Sequence, residues 1–234
     1  MKATMQHVAP ETLEDLPSRI TYLSSFLELT AADSQALTSA APLIAPLVPT
    51  ILDAVYTKLL TFDITAQAFV PSNTDYTGPT VTSVQDLTLS HPQIKLRQDF
   101  LKGYLVKLVS TSDLSPTSPF WKYLDNVGIM HTGYPGFKHR EARPDLRVEY
   151  MHMGALLGYV IGLVVDAVLD MDEVPNAEKK KVLLALNKVL WIQNDLFVRH
   201  YVTKPVSEFG RGKEEEKKPE AQEGLIGGLL KKLF

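Results

Sequence analysis

From about Asp145 to Leu169 the chain is apolar on nearly every face a helix would present. Such a helix has no side for water, so it is expected at the centre of an assembly of other helices. Neighbours with matching apolar stripes are present. From Pro175 a last long helix is carried to about Val202 by Leu183, Leu186, Leu190, Ile192, Leu196 and Phe197. Ile94–Val109 sets Leu96, Phe100 and Tyr104 on one face, with Leu101, Leu105 and Leu108 beside them. A helix from about Pro49 to Leu60 turns Leu52, Val55 or Tyr56, Leu59 and Leu60 inward. Shorter pieces are expected over Ile20–Leu29, from a Thr30–Asp33 cap towards Ala41, and around Ile64–Phe69.

No two runs alternate as paired strands. The β-branched run Thr80–Val84 has no partner and falls within Val70–Ser90, whose Ser, Thr, Pro and Gly read as a long loop. A second loop, Thr132–Arg147, carries Lys138, His139, Arg140, Arg143 and Arg147. The expected fold is therefore all-α, with about eight helices.

A chain of 234 residues, 45% hydrophobic and 22% charged, suits one globular domain with tails. Its net charge of −3 gives no basic face for nucleic acid, and the lack of cysteine excludes disulfides, thiolate metal sites and cysteine catalysis. Residues 1–17 lack the apolar core of a secretory signal. The longest apolar run, Met153–Val165, is shorter than the ~20 residues of a membrane span. A cytoplasmic protein is the expectation.

The chemistry is expected at Phe120–Gly133. Ser118 and Pro119 open a helix there, Gly133 ends it, and the inward series Phe120, Leu124, Val127 and Gly128 finishes on His131. Spacing alone makes His131 a hydrogen-bonded core residue more readily than a ligand.

A wider pattern joins these residues. With Ile51-Leu52-Asp53-Ala54-Val55-Tyr56 in an early helix, Phe69 just after it, and Val127-Gly128-Ile129-Met130-His131 in a middle one, the chain resembles the protoglobin and globin-coupled-sensor branch of the globins. The resemblance runs over roughly Thr12–Val202, and Gln193, Leu196, Tyr201 and Val202 fall in register with the family's last helix. It implies a globin-like fold, haem b as cofactor and a diatomic gas (O2, CO or NO) as ligand.

Residue by residue, His131 matches the proximal ligand of the iron, its other ring nitrogen held by an acceptor. Tyr56 matches the distal tyrosine, whose hydroxyl donates to the bound gas. Phe69 matches the phenylalanine at the porphyrin edge, and Phe100 a distal-helix residue that crowds the ligand. Val55 stands where some relatives have a tryptophan, which implies a more open pocket. Gly128 would let the porphyrin or another backbone come close. The competing readings are a core tyrosine bonded to a backbone carbonyl for Tyr56, plain core packing for Phe69 and Phe100, and merely a poor helix residue for Gly128.

His91 would lie about 13 Å along a helix from Phe100, so one iron cannot have both above it, and a helix-start or surface role is expected. His152 is expected as a buried or interface histidine. The basic loop Lys138–Arg147 pairs haem carboxylates or is simply solvated.

The domain reading is a globin-like body over 1–203, a disordered charged linker over 204–224 and an amphipathic segment, Leu225–Phe234, for a membrane surface or a docking partner. The segment after Val202 is too short for an output domain, so a signal is expected to leave through a partner, the tail or a homodimer built from the last two long helices. The expected function is reversible gas binding as sensor or carrier. The alternatives are a haem-free interaction module, its cavity empty or filled by a fatty acid, and a haem enzyme acting on nitric oxide or peroxide with an external reductant.

Overall fold

The computed structural model describes residues 5–71, 76–141 and 146–202. The linker 204–224 and segment 225–234 expected above, and Arg143 of the basic loop, lie outside the described residues.

Among the described residues are eight α-helical segments and no strand: α1 (Leu16–Phe26), α2 (Ala31–Ile44), α3 (Val48–Thr61), the single turn α4 (Asp63–Ala66), α5 (Pro92–Ser110), α6 (Pro119–Met130), α7 (Tyr150–Leu169) and α8 (Asn176–Val198). The starts of α1, α2, α5 and α6 obey capping chemistry. Asp15 accepts from Ser18 N at 3.0 Å ahead of α1. Asp33 Oδ2 accepts from Thr30 N at 2.7 Å and closes the entry to α2. His91 caps α5, its Nδ1 accepting from Gln93 N at 3.2 Å, which is the helix-start role expected of it. Pro42 is absorbed inside α2, and Pro46 lies in a 3-10 turn, Ala45–Leu47, that passes directly into α3. Among the described residues, the region expected as a long loop holds the 3-10 turn Val84–Asp86.

The central helix is α8, which packs against α1, α2, α6 and α7 and buries Val182, Ala185, Leu186, Val189, Leu190, Ile192, Leu196 and Phe197. This corrects the expectation for the apolar helix. Only Val164 and Val168 of α7 are buried, and Met151, Val165 and Leu169 stand exposed. One side of α7 faces α3, α8 and a cavity, and the other side faces outward. By length and composition α7 and the joined α2–α3 segment are each sufficient to cross a membrane. The helix also begins at Tyr150 and not near Asp145, because the chain after α6 doubles back: Gly133 N donates to Leu146 O and Val148 N to His131 O, both at 2.9 Å.

Ion pairs tie the other helices to α8. Arg19 of α1 holds Asp195 through two bonds, of 2.5 and 2.8 Å, and Lys188 reaches Asp33 at 2.9 Å. Lys179 Nζ donates to Leu169 O at 2.6 Å and closes the C-terminus of α7. Buried Asp125 of α6 takes His200 Nε2 at 2.7 Å and Arg199 at 3.6 Å just beyond α8. Between α6 and α8 there is no room for a side chain: a Cβ on Gly128 would stand 2.8 Å from Leu196 O and 3.1 Å from Phe197. That contact fixes α6, and with it His131.

Candidate cofactor cavity

A cavity of about 840 Å³ is lined by residues of α3, the turn Gln67–Phe69, α5, α6, α7 and α8. Its wall is mainly apolar, with Val55, Leu101, Leu105, Leu108, Leu156 and Leu190 among the lining residues.

His131 enters this wall from the C-cap of α6. Its Nδ1 lies 2.8 Å from Val127 O. A carbonyl only accepts, so Nδ1 carries the proton, and the neutral ring keeps its lone pair on Nε2. Burial, with the charge of Arg140 acting in the same direction, holds the ring below the ordinary histidine pKa and so neutral. Phe197 stacks on the ring at 6.1 Å between centroids. The Tyr201 hydroxyl donates to Val148 O at 2.9 Å, with His131 O 3.3 Å away, and so pins the turn beyond the histidine.

Tyr56, 5% exposed, comes from α3 into the same cavity. Its hydroxyl has no hydrogen-bond partner among the described residues, and burial pushes its pKa up, so it remains a protonated donor. The hydroxyl opens on the cavity and is not a sealed polar atom, so an acceptor bound there could take its proton in a hydrogen bond. Its ring packs on Phe69 at 5.7 Å.

Phe69 is covered on another side by Arg97, whose guanidinium lies 5.0 Å from the ring centroid. Arg97, 7% exposed, donates to Ala68 O at 3.2 Å and to Pro71 O at 3.0 Å. Gln93, one turn earlier on α5, donates to Phe69 O at 2.5 Å. These two side chains clamp the segment bearing Phe69, and reading the sequence missed both. The available signal was the spacing Gln93, Arg97, Leu101, Tyr104 and Leu108, which lies on one helix face. Deeper in the wall the Tyr104 hydroxyl donates to Gln193.

Of the expected residues, His131, Tyr56, Phe69 and Val55 therefore share one cavity. Phe100 lies at its margin, 52% exposed, because Arg97, Leu101 and Tyr104 take the inward face of α5. Gly128 is not a cavity residue. It makes room for the α8 backbone, which is the second of the two roles its small size suggested. His91 is outside the wall and His152 is within it, with Nε2 buried and without a hydrogen-bond partner.

No group of three or more His, Cys, Asp or Glu gathers among the described residues. A single imidazole cannot hold a metal ion by itself, so a metal at His131 would have to arrive already chelated, as iron does in a porphyrin.

An all-helical body whose cavity takes His131, with Nε2 unprotonated, and the buried Tyr56 has the features of a protein of globin type. The chain belongs to the protoglobin family, whose model, described as Protoglobin, matches residues 16–206. Its structure is similar to the globin domain of a Geobacter sulfurreducens globin-coupled sensor, with a TM-score of 0.56. That likeness covers 77% of this chain and 96% of the other at 17% identity, and so speaks to the fold. No curated protein matches the sequence.

Proposed function

We propose that the protein holds haem b in this cavity and binds a diatomic gas reversibly, as a sensor or carrier. The observation that carries this reading is His131: Nδ1 is committed to Val127 O, which leaves Nε2 as the ring nitrogen available to a metal. When bound, haem supplies the iron at which a gas is held. His131 would be its protein ligand, and the stack on Phe197 and the Tyr201 anchor keep the imidazole in place. Phe69 and the leucines of the wall would cover the macrocycle and keep water out. Tyr56 would donate to the gas, which gives its hydroxyl the partner it lacks.

The test is the absorption spectrum of purified protein with added hemin, beside that of His131→Ala. Wild type is expected to show a sharp Soret band and the ligand-field bands of histidine-bound iron. His131→Ala is expected to stay helical and to lose them. Equal Soret intensity and equal ligand-field bands in both proteins remove His131 as the ligand.

A further inference from the structure

The cavity side of α8 carries Leu186, Leu190, Gln193 and Phe197, spaced by four, three and four residues along one side of a helix. One member of this stripe is polar. Gln193 is 5% exposed, and the only hydrogen bond of its side chain among the described residues is the one its Oε1 accepts from the Tyr104 hydroxyl of α5. An amide holds its oxygen and its nitrogen apart, so Nε2 keeps both N–H donors for another acceptor. That nitrogen is not sealed in the core but opens on the cavity. A bond that only tied α5 to α8 would use the oxygen alone.

A third polar group joins the pair. Tyr123 enters the same cavity from α6, and its hydroxyl has no hydrogen-bond partner among the described residues. Burial pushes the Tyr104 pKa up against the bond to Gln193, and the nearby Tyr123 acts with burial. Burial also raises Tyr123, so both phenols stay protonated. Tyr123 precedes His131 by eight residues, about 12 Å along α6. Gln193 stands one turn of α8 before Phe197, the ring stacked on His131. The three groups are thus a polar patch apart from His131, in a wall that is otherwise mainly apolar.

We propose that Gln193, Tyr104 and Tyr123 form a second small-molecule subsite in the cavity, for a neutral molecule that sets one carbonyl or hydroxyl oxygen against the Gln193 amide and an apolar body against the leucines. Neutrality follows from the groups themselves, since an amide and two protonated phenols offer an ion no countercharge. The neighbouring cation, Lys107, lies over the Tyr123 ring, 5.1 Å from its centroid, and is not among the residues that line the cavity. At about 840 Å³ the cavity is in the upper part of the range of ligand pockets. The subsite stands on the cavity wall and does not depend on haem.

The test compares acetophenone with ethylbenzene, two molecules of nearly one shape that differ by a carbonyl. Each is titrated into the purified protein without haem and followed by calorimetry and by the side-chain amide signals of Gln193 in NMR. In wild type the ketone is expected to bind and to shift those signals. In Gln193→Met the affinity ratio of ketone to hydrocarbon is expected to fall about fivefold, the worth of one net hydrogen bond, with ethylbenzene bound as before. Tyr123→Phe is expected to lower the ratio by a smaller factor, and Tyr56→Phe to leave it unchanged. Circular dichroism and Tm establish that each variant is folded. Should Gln193→Met not fold, Tyr104→Phe and Tyr123→Phe decide by the same ratio. A ketone that leaves the Gln193 amide unmoved overturns the subsite, as does a ratio preserved in the folded variants or lowered equally by Tyr56→Phe. Repeating the titration with added hemin separates the two readings. A Soret band of histidine-bound iron with the ketone ratio retained upholds both. If hemin does not bind, the haem reading fails and the ratio in the haem-free protein still decides the subsite. Hemin that binds and expels the ketone leaves the haem reading standing and overturns a separate subsite.

Discussion

At the scale of single residues, two polar groups that line the one cavity, His131 and Tyr56, differ in what they lack. His131 has one nitrogen satisfied and one available, whereas the Tyr56 hydroxyl has no partner among the described residues. The second state predicts an effect that appears only with a ligand. In the apo-protein Tyr56→Phe is expected to change stability by no more than about 0.5 kcal/mol, read as Tm, because the hydroxyl opens on the cavity and is not a sealed polar atom. In the haem-loaded protein the same change is expected to speed oxygen dissociation severalfold and that of carbon monoxide much less, because oxygen draws more negative charge towards a donor; the difference is ~1 kcal/mol or more in a dry site. Equal acceleration of both gases, in stopped-flow measurements, would mean that the hydroxyl points elsewhere. Both residues were legible in the sequence, since an aromatic and a histidine at the inward positions of amphipathic helices must point at the interior. Arg97 was not. A charged residue in a helix reads as a solvent-facing one until its neighbours at four-residue spacing are known to be buried, and only the fold supplies that.

Among elements, the joint between α6 and α8 decides where His131 stands. A methyl group at Gly128 would meet the backbone oxygen of Leu196, which cannot rotate aside. Gly128→Ala is therefore expected to cost about 1–3 kcal/mol in thermal unfolding and to broaden the Soret band by displacing α6. An unchanged Tm would show that the helices part freely. The same joint carries Asp125. Burial alone would raise its pKa, but the hydrogen bond from His200 and the charges of His200, Arg199 and Lys122 hold it below the ordinary carboxylate value. A depressed carboxyl contributes stability that is complete above the unfolded pKa of about 4 and is lost as pH falls through the folded value. Between about pH 5 and about pH 3 wild type is expected to lose more stability than Asp125→Asn, as denaturation at each pH would reveal. Parallel loss in both would detach the pair from acid sensitivity. Periodicity placed α3, α5, α6 and α8 to within a few residues because each has one apolar stripe and a start marked by a side-chain cap, in α5 and α6, or by a proline, in α3 and α8. It misjudged α7 for a physical reason: a helix apolar on every side is equally suited to burial, to a cavity wall and to a surface awaiting a partner, and period alone does not separate them.

For the whole molecule, that ambiguity becomes a statement about assembly. Along α7 the outward series runs Met151, Ala155, Gly158, Gly162, Val165 and Leu169, at alternating four- and three-residue steps. Nothing lies within 4 Å of where a Cβ of Gly158 or Gly162 would be. Leu184 and Trp191 of the adjoining α8 are about half exposed, a step of seven residues on the helix that packs beside α7. Together these faces form an uncovered apolar strip along two adjacent helices, with glycines that allow close approach. A second copy applied about a two-fold axis would cover it with four helices, and such a contact reaches the ~1,200–2,000 Å² of a stable interface only if both helices take part. The protein is therefore expected to be a dimer at tens of micromolar in light scattering. Val165→Arg with Leu169→Arg should yield a monomer whose haem spectrum is unchanged, since these two side chains point away from the cavity wall. A wild-type mass equal to one chain, or a double variant that remains dimeric, contradicts the arrangement. Because α7 lines the cavity with its inner face and would hold the partner with its outer one, a dimer of this kind places each gas site one helix thickness from the neighbouring subunit.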